Sequence, residues 1–163
     1  MSSNRKIKNA TQNTFNNIEF KSKLEKTMYI VLSQFGFNPQ YEPIKHLLWE
    51  GFIPITPYYS KETDSQREKR GRNTARILTL KKNKFVGIRY TPDFYFKYNN
   101  IDIYIEAKGI ENDVFYIKKK MFIKYLDDKF IKTGQKSMYF EVFNKRQLLQ
   151  AVDIIKEYGK NSS

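Results

Sequence analysis

Two runs of alternating residues constrain this chain more than anything else in it. In Tyr90-Thr91-Pro92-Asp93-Phe94-Tyr95-Phe96-Lys97-Tyr98 the rings Phe94, Phe96 and Tyr98 fall at every second position. Ile101, Ile103 and Ile105 do the same in Ile101-Asp102-Ile103-Tyr104-Ile105-Glu106-Ala107-Lys108. A period of two sets alternate side chains on one face, which is the pattern of a β-strand. Asn99-Asn100 between the runs is turn chemistry, because asparagine tolerates the left-handed conformation that a two-residue hairpin requires. With those two residues as the turn, Tyr98 pairs with Ile101, Phe96 with Ile103 and Phe94 with Ile105, which predicts one apolar face. The same register sets Asp93 across from Glu106, where like charges destabilise a sheet. Lys108, two positions beyond Glu106, projects from the same face.

Two carboxylates and a lysine at a strand end describe a site for a divalent cation that faces a phosphate. Mg²⁺ prefers oxygen ligands and keeps several waters, so Asp93, Glu106 and the backbone carbonyl of Ala107 form a suitable donor set, with Mn²⁺ a substitute. Lys108 would orient an attacking water and stabilise charge at the scissile phosphate. The plainer reading of the same cluster is a set of ordinary surface ion pairs. Net charge favours the first reading. Thirty Lys and Arg stand against seventeen Asp and Glu in 163 residues, for a net charge of +13, and a fold so charged is usually neutralised by a polyanion. Nucleic acid is expected ahead of an anionic membrane.

Composition removes other chemistries. The chain has no cysteine and one histidine, His46, which excludes disulfides, thiolate metal sites, cysteine nucleophiles and histidine-rich zinc centres. An aromatic content of 16% argues for a packed domain over a disordered basic tail. No run approaches the roughly 18 apolar residues of a membrane span, and the first residues are polar, so a soluble cytoplasmic protein is expected.

Residues 1–17 read as a mobile basic arm ahead of a single domain over 18–160. Phe20, Leu24, Met28, Val31, Leu32 and Phe35 recur at helical spacing, and Gly36 stops that helix. An extended segment at 40–44 and a strand within 46–55 follow, with His46 and Trp49 read as partly buried packing residues. The stretch 58–89 resembles an insertion, with ten Lys and Arg against three acids. Within it 60–75 reads as a loop or mobile arm, and 76–80 and 85–90 as two strands joined by a turn. Arg67, Lys69, Arg70, Arg72 and Arg76 are candidates for phosphate contact, the alternative being a solvated loop. After Gly109, 114–126 reads as a helix, 138–143 as a strand and 146–158 as an amphipathic helix. Lys118, Lys119 and Lys120 on the first of these form either a solvated face or further phosphate contacts.

Three segments carry a family resemblance: Phe20-Lys21-Ser22-Lys23-Leu24-Glu25, Tyr90-Thr91-Pro92-Asp93-Phe94 and Glu106-Ala107-Lys108-Gly109. Together they resemble the PD-(D/E)XK nucleases, and within that superfamily the bacteriophage endonuclease I type of Holliday junction resolvase. The resemblance implies an α/β restriction-endonuclease-like fold, a central mixed β-sheet flanked by helices. It implies that Asp93 and Glu106 bind metal, that Lys108 is the catalytic lysine and that Glu25 completes the metal site. It further implies Mg²⁺-dependent cleavage of branched DNA by a homodimer, domain-swapped in resolvases of this type. This sequence departs from the pattern in the longer spacing between Glu25 and Asp93, which holds the basic stretch. Glu25 also fits a capping box with Ser22. Two other functions remain open: a PD-(D/E)XK nuclease acting on other DNA or on RNA, and a non-catalytic basic protein whose Tyr58, Tyr59 and Tyr90 stack on bases.

Overall fold

The computed structural model describes residues 13–109 and 113–160. In chain order the elements are β1 (Asn13–Phe15), β2 (Ile18–Phe20), α1 (Lys23–Gln34), β3 (Gln40–Tyr41), β4 (His46–Trp49), β5 (Tyr58–Lys61) and α2 (Asp64–Arg70). They continue with β6 (Leu78–Lys81), β7 (Ile88–Tyr90), β8 (Phe94–Tyr98), β9 (Ile101–Ala107), α3 (Asp113–Thr133), β10 (Ser137–Val142) and α4 (Lys145–Lys160). They divide into two compact units, Leu47–Arg89 and the chain on either side of it.

The outer segments build a mixed four-stranded sheet in the order β10-β9-β8-β3. The hairpin has the register read from the sequence: Tyr98 pairs with Ile101, Phe96 with Ile103 and Phe94 with Ile105. Asn99 and Asn100 take φ of 45° and 62°, the left-handed pair of a two-residue turn. β10 lies parallel to β9, a connection made by the crossover helix α3. One sheet face carries Phe94, Phe96, Ile101, Ile103 and Ile105 into a core shared with Met28, Val31 and Leu32 of α1 and Leu148, Val152 and Ile155 of α4. Both helices bury one side at spacings of three and four residues. Ser22 caps α1, accepting from the Glu25 amide at 3.1 Å, and Gly36 follows the helix at φ 82°. Near the end of α4, Gly159 admits the hairpin tip: a β-carbon there would meet the Tyr98 ring at 2.5 Å.

The alternation in β9 suggests one buried and one polar face, yet every residue from Ile101 to Glu106 is buried. An aromatic layer covers the second face, with Phe122 of α3 packed on Tyr104 at 5.2 Å and on Tyr90 at 4.9 Å between ring centroids. Asp102, 2% exposed, is tolerated there because Lys129 lies 2.6 Å from it and Tyr95 donates to it at 3.0 Å. His46 packs among Tyr104, Phe122 and Tyr125, and burial lowers its pKa, which keeps the imidazole neutral. The expected packing role holds for His46; Trp49 differs, at 55% exposed.

Three expectations are corrected. Residues 13–17, read as part of an arm, form the hairpin β1-β2 with Asn16 and Asn17 at φ 50° and 61°; residues 1–12 lie outside the described residues. The segment 60–75 contains α2, started by a capping box in which Thr63 and Gln66 bond reciprocally. Finally, β6 and β7 are not partners: β6 pairs with β5, and β7 with β4. Among the described residues no helix is long and apolar enough to cross a membrane.

Candidate active site

The hairpin register fixes the centre of the site. Asp93 is the residue before β8, and one further step of the register sets it across from Glu106 in β9. The repulsion this creates is met by three local contacts. Asp93 Oδ2 accepts from the Ala107 amide at 2.7 Å. Glu106 Oε2 accepts from the Tyr90 hydroxyl at 2.7 Å, and Glu106 Oε1 lies 2.7 Å from Lys108 Nζ. Lys108 is held from its other side by the Phe115 ring, whose centroid is 3.4 Å from the ammonium, a cation–π contact strengthened by partial burial. The three residues expected to act together are therefore brought together, and Ala107 joins them through its amide.

Glu25 enters from α1. Its carboxylate accepts from the Lys21 amide at 3.0 Å, from the Ser22 hydroxyl at 2.8 Å and from the Tyr41 hydroxyl at 2.6 Å. It braces the chain just before α1, whose cap is Ser22, but does not reach the Ser22 amide as a capping box would, and its charge helps raise the pKa of Asp93.

Burial and the Glu106 charge push the Asp93 carboxyl up to about 8, with Glu25 adding to the rise and the Ala107 amide and Lys108 opposing it. Such crowding of carboxylates destabilises the protein and suits a cation. Asp93, Glu106 and the Ala107 carbonyl are a donor set that a hard divalent ion accepts, with water and phosphate filling the remaining positions. Among the described residues, no three His, Asp or Glu side chains gather closely enough to hold a metal by themselves. Two carboxylates supplemented by water and substrate are the pattern of Mg²⁺.

Asp93→Asn is expected to stabilise the metal-free protein. One pKa unit of relieved repulsion is worth about 1.4 kcal/mol, or ~3–6 °C in Tm for a chain of this size. The sign follows from linkage. A carboxyl whose folded pKa lies above its unfolded 3.8 favours the folded state fully below that value, and the benefit is lost as pH rises through about 8. Thermal melts in EDTA from pH 4 to 9 should decline in the parent and flatten in Asp93→Asn.

Five residues support the site in roles that the sequence reading did not assign to them. Tyr90, a stacking ring under the non-catalytic alternative, is 6% exposed, and its hydroxyl is committed to Glu106. Burial raises its pKa and that of Tyr139, so both stay neutral. Tyr139 lies 2.9 Å from the Tyr90 oxygen and donates to it, since the Tyr90 proton goes to Glu106. Tyr41 holds Glu25 in the same way, and its own pKa is raised by burial. Lys21 pairs with Glu42, whose amide donates to the Asp93 carbonyl at 2.8 Å. Tyr90 sits inside the Tyr-Thr-Pro-Asp motif and was findable; Tyr41 and Glu42 reach the site only through the pairing of β3 with β8. Tyr90→Phe should cost about 1.5–3 kcal/mol in stability and roughly 10–100-fold in metal affinity, read by melting and Mn²⁺ titration.

The basic candidates separate. Arg70 bonds Glu62 at 2.6 Å, Arg72 bonds Glu68 at 2.7 Å, Arg76 pairs with Asp64, and Arg67 donates to the Thr74 carbonyl at 3.1 Å. Of these, Arg70 and Arg76 converge on Glu62, which is 1% exposed. Lys69 makes no such bond among the described residues. On α3, Lys119 lies 2.9 Å from Glu141 and Lys120 sits over Tyr116, while Lys118 is half-buried.

Comparison with protein-family models, curated proteins and solved structures found no match to this chain.

Proposed function

We propose that this chain is a metal-dependent DNA endonuclease of the PD-(D/E)XK type, selective for branched DNA. The observation that carries the reading is the opposition of Asp93 and Glu106 at one end of a two-residue-turn hairpin, with Lys108 2.7 Å from Glu106. A fold places two like charges there at a cost unless a cation or a reaction uses them. The mixed sheet flanked by helices agrees with the fold that the three sequence motifs imply.

Mg²⁺ held by Asp93, Glu106 and the Ala107 carbonyl would make a bound water more acidic and stabilise charge on the leaving oxygen. The protein's own groups do the rest. Tyr90 and Lys108 fix the Glu106 carboxylate from two sides. Lys108, braced on Phe115, positions a water for in-line attack and places positive charge beside the scissile phosphate. In hydrolysis the water oxygen bonds to phosphorus, the opposite P–O bond breaks, and a phosphomonoester and a hydroxyl leave. Glu25, fixed by Tyr41, Ser22 and the Lys21 amide, would add negative charge felt at Asp93. Symmetric cutting of a four-way junction further implies a homodimer.

The test is incubation with end-labelled four-way junction, linear duplex and single strand, in Mg²⁺ and in EDTA. Metal-dependent cutting of the junction in preference to duplex supports the proposal. Binding without cutting in both Mg²⁺ and Mn²⁺ would favour a non-catalytic nucleic-acid-binding protein.

A further inference from the structure

In the Leu47–Arg89 unit, four aromatic rings meet in sequence at the surface. Trp49 stacks on Phe52 at 6.0 Å and 25°, Phe52 stacks on Phe85 at 5.2 Å and 19°, and Phe85 meets Tyr58 at 5.7 Å and 48°. All four are exposed, by 42–55%. Rings used only as core would be covered, and a continuous exposed aromatic row marks a binding surface.

The row is rigid. Phe52 and Phe85 exchange backbone hydrogen bonds at 3.0 and 2.8 Å. The backbones beside them approach so closely that a β-carbon on Gly51 would lie 2.5 Å from the Phe85 carbonyl oxygen, and one on Gly87 would lie 2.8 Å from the Trp49 oxygen. Glycine is required at both positions for the two backbones to approach so closely.

Charge identifies the ligand. The arginines in and after α2 are largely taken up by Glu62, Asp64 and Glu68. Lys82, Lys84 and Arg89 are exposed and make no ion pair among the described residues. Lys84 adjoins Phe85 and lines one cleft with Arg89, where Glu50 is the single acid. Lys81 stands opposite Tyr58 in the β5-β6 register. Lys84 and Arg89 therefore set unpaired positive charge at the Phe85 end of the row, though Lys61 and Lys69 of the same unit are likewise without an ion pair among the described residues.

We propose that this surface is a base-stacking platform for single-stranded nucleic acid, with bases on the Trp49-Phe52-Phe85-Tyr58 row and phosphates on Lys82, Lys84 and Arg89. Unpaired bases offer the flat faces that aromatic rings stack on, and their backbone offers the matching charge. Duplex hides its base faces. A second copy of this chain would set like charges against each other. The inference does not rest on the cleavage reading, and it would supply that reading with a preference for unpaired nucleotides.

Trp49 is the only tryptophan in the chain, so its fluorescence reports on the row directly. The full-length protein in EDTA, where metal-dependent cleavage is off, is titrated with oligo(dT), with an abasic oligomer of equal length and with a blunt hairpin duplex. Oligo(dT) should quench Trp49 and bind at least ~10-fold more tightly than the abasic strand, and Phe85→Leu should remove roughly ten-fold of affinity. Lys82→Ala/Lys84→Ala should weaken binding and flatten its dependence on salt. Equal affinity for abasic and base-bearing strands, or unchanged Trp49 emission at saturation, overturns the proposal without needing any variant. A failure here leaves junction cleavage untouched, and a failure to cleave leaves the quenching untouched.

Discussion

Glu106→Gln should lower metal-dependent cleavage by ~10³ or more while the protein stays folded, because the change removes a charge and almost no volume. The glutamine keeps a carbonyl for the Tyr90 hydroxyl, which now donates to Glu106 Oε2 at 2.7 Å. It also relieves the opposition to Asp93, so the melting temperature should hold. Lost with the charge is half of the anionic donor pair, and with it the cation and the transition-state stabilisation that the cation supplies. Asp128→Asn is the control. Asp128 pairs with Lys124 one turn away on the exposed side of α3, and its replacement should change cleavage by no more than ~3-fold. Were Glu106 only an ion-pair partner, the two substitutions would behave alike.

Lys108→Met should separate catalysis from metal binding. The lysine and a cation draw on the same Glu106 carboxylate, so removing the ammonium 2.7 Å away should leave Mn²⁺ affinity equal or higher. Cleavage should nevertheless fall by about 10²–10³, the usual loss when one preorganised charge at a reacting centre is deleted. Methionine keeps the apolar contact with Phe115, so packing is little disturbed. Single-turnover rates alongside Mn²⁺ titrations read both quantities. Weaker metal binding with unchanged rate at saturating metal would assign Lys108 a purely structural role.

The site was legible in sequence where its determinants are local. Asn99-Asn100 and the alternation around it specify one register, and that register alone opposes Asp93 to Glu106. Asn16-Asn17 carries the same chemistry, but its three-residue strands lie in a polar stretch whose periodicity is too short to announce a hairpin. Thr63 and Gln66 likewise spelled a capping box, yet α2 buries no residue and so lacks an apolar stripe. Other features depend on partners far along the chain. Asp102 looks like a solvent-facing residue until Lys129 is placed beside it, and β6 looks like the partner of β7 until β5 claims it. The arginines of 67–76 looked like free charge, and only the fold reveals Glu62, Asp64 and Glu68 as their counterions.

The central claim is that Asp93 and Glu106 form a cation site in which Lys108 assists phosphodiester hydrolysis. Anomalous diffraction from crystals grown with Mn²⁺ tests it most directly. The account predicts a peak about 2.1 Å from oxygens of both Asp93 and Glu106, absent from crystals of Glu106→Gln. Full occupancy elsewhere, with the Glu106–Lys108 pair undisturbed and no density between the two carboxylates, would contradict it.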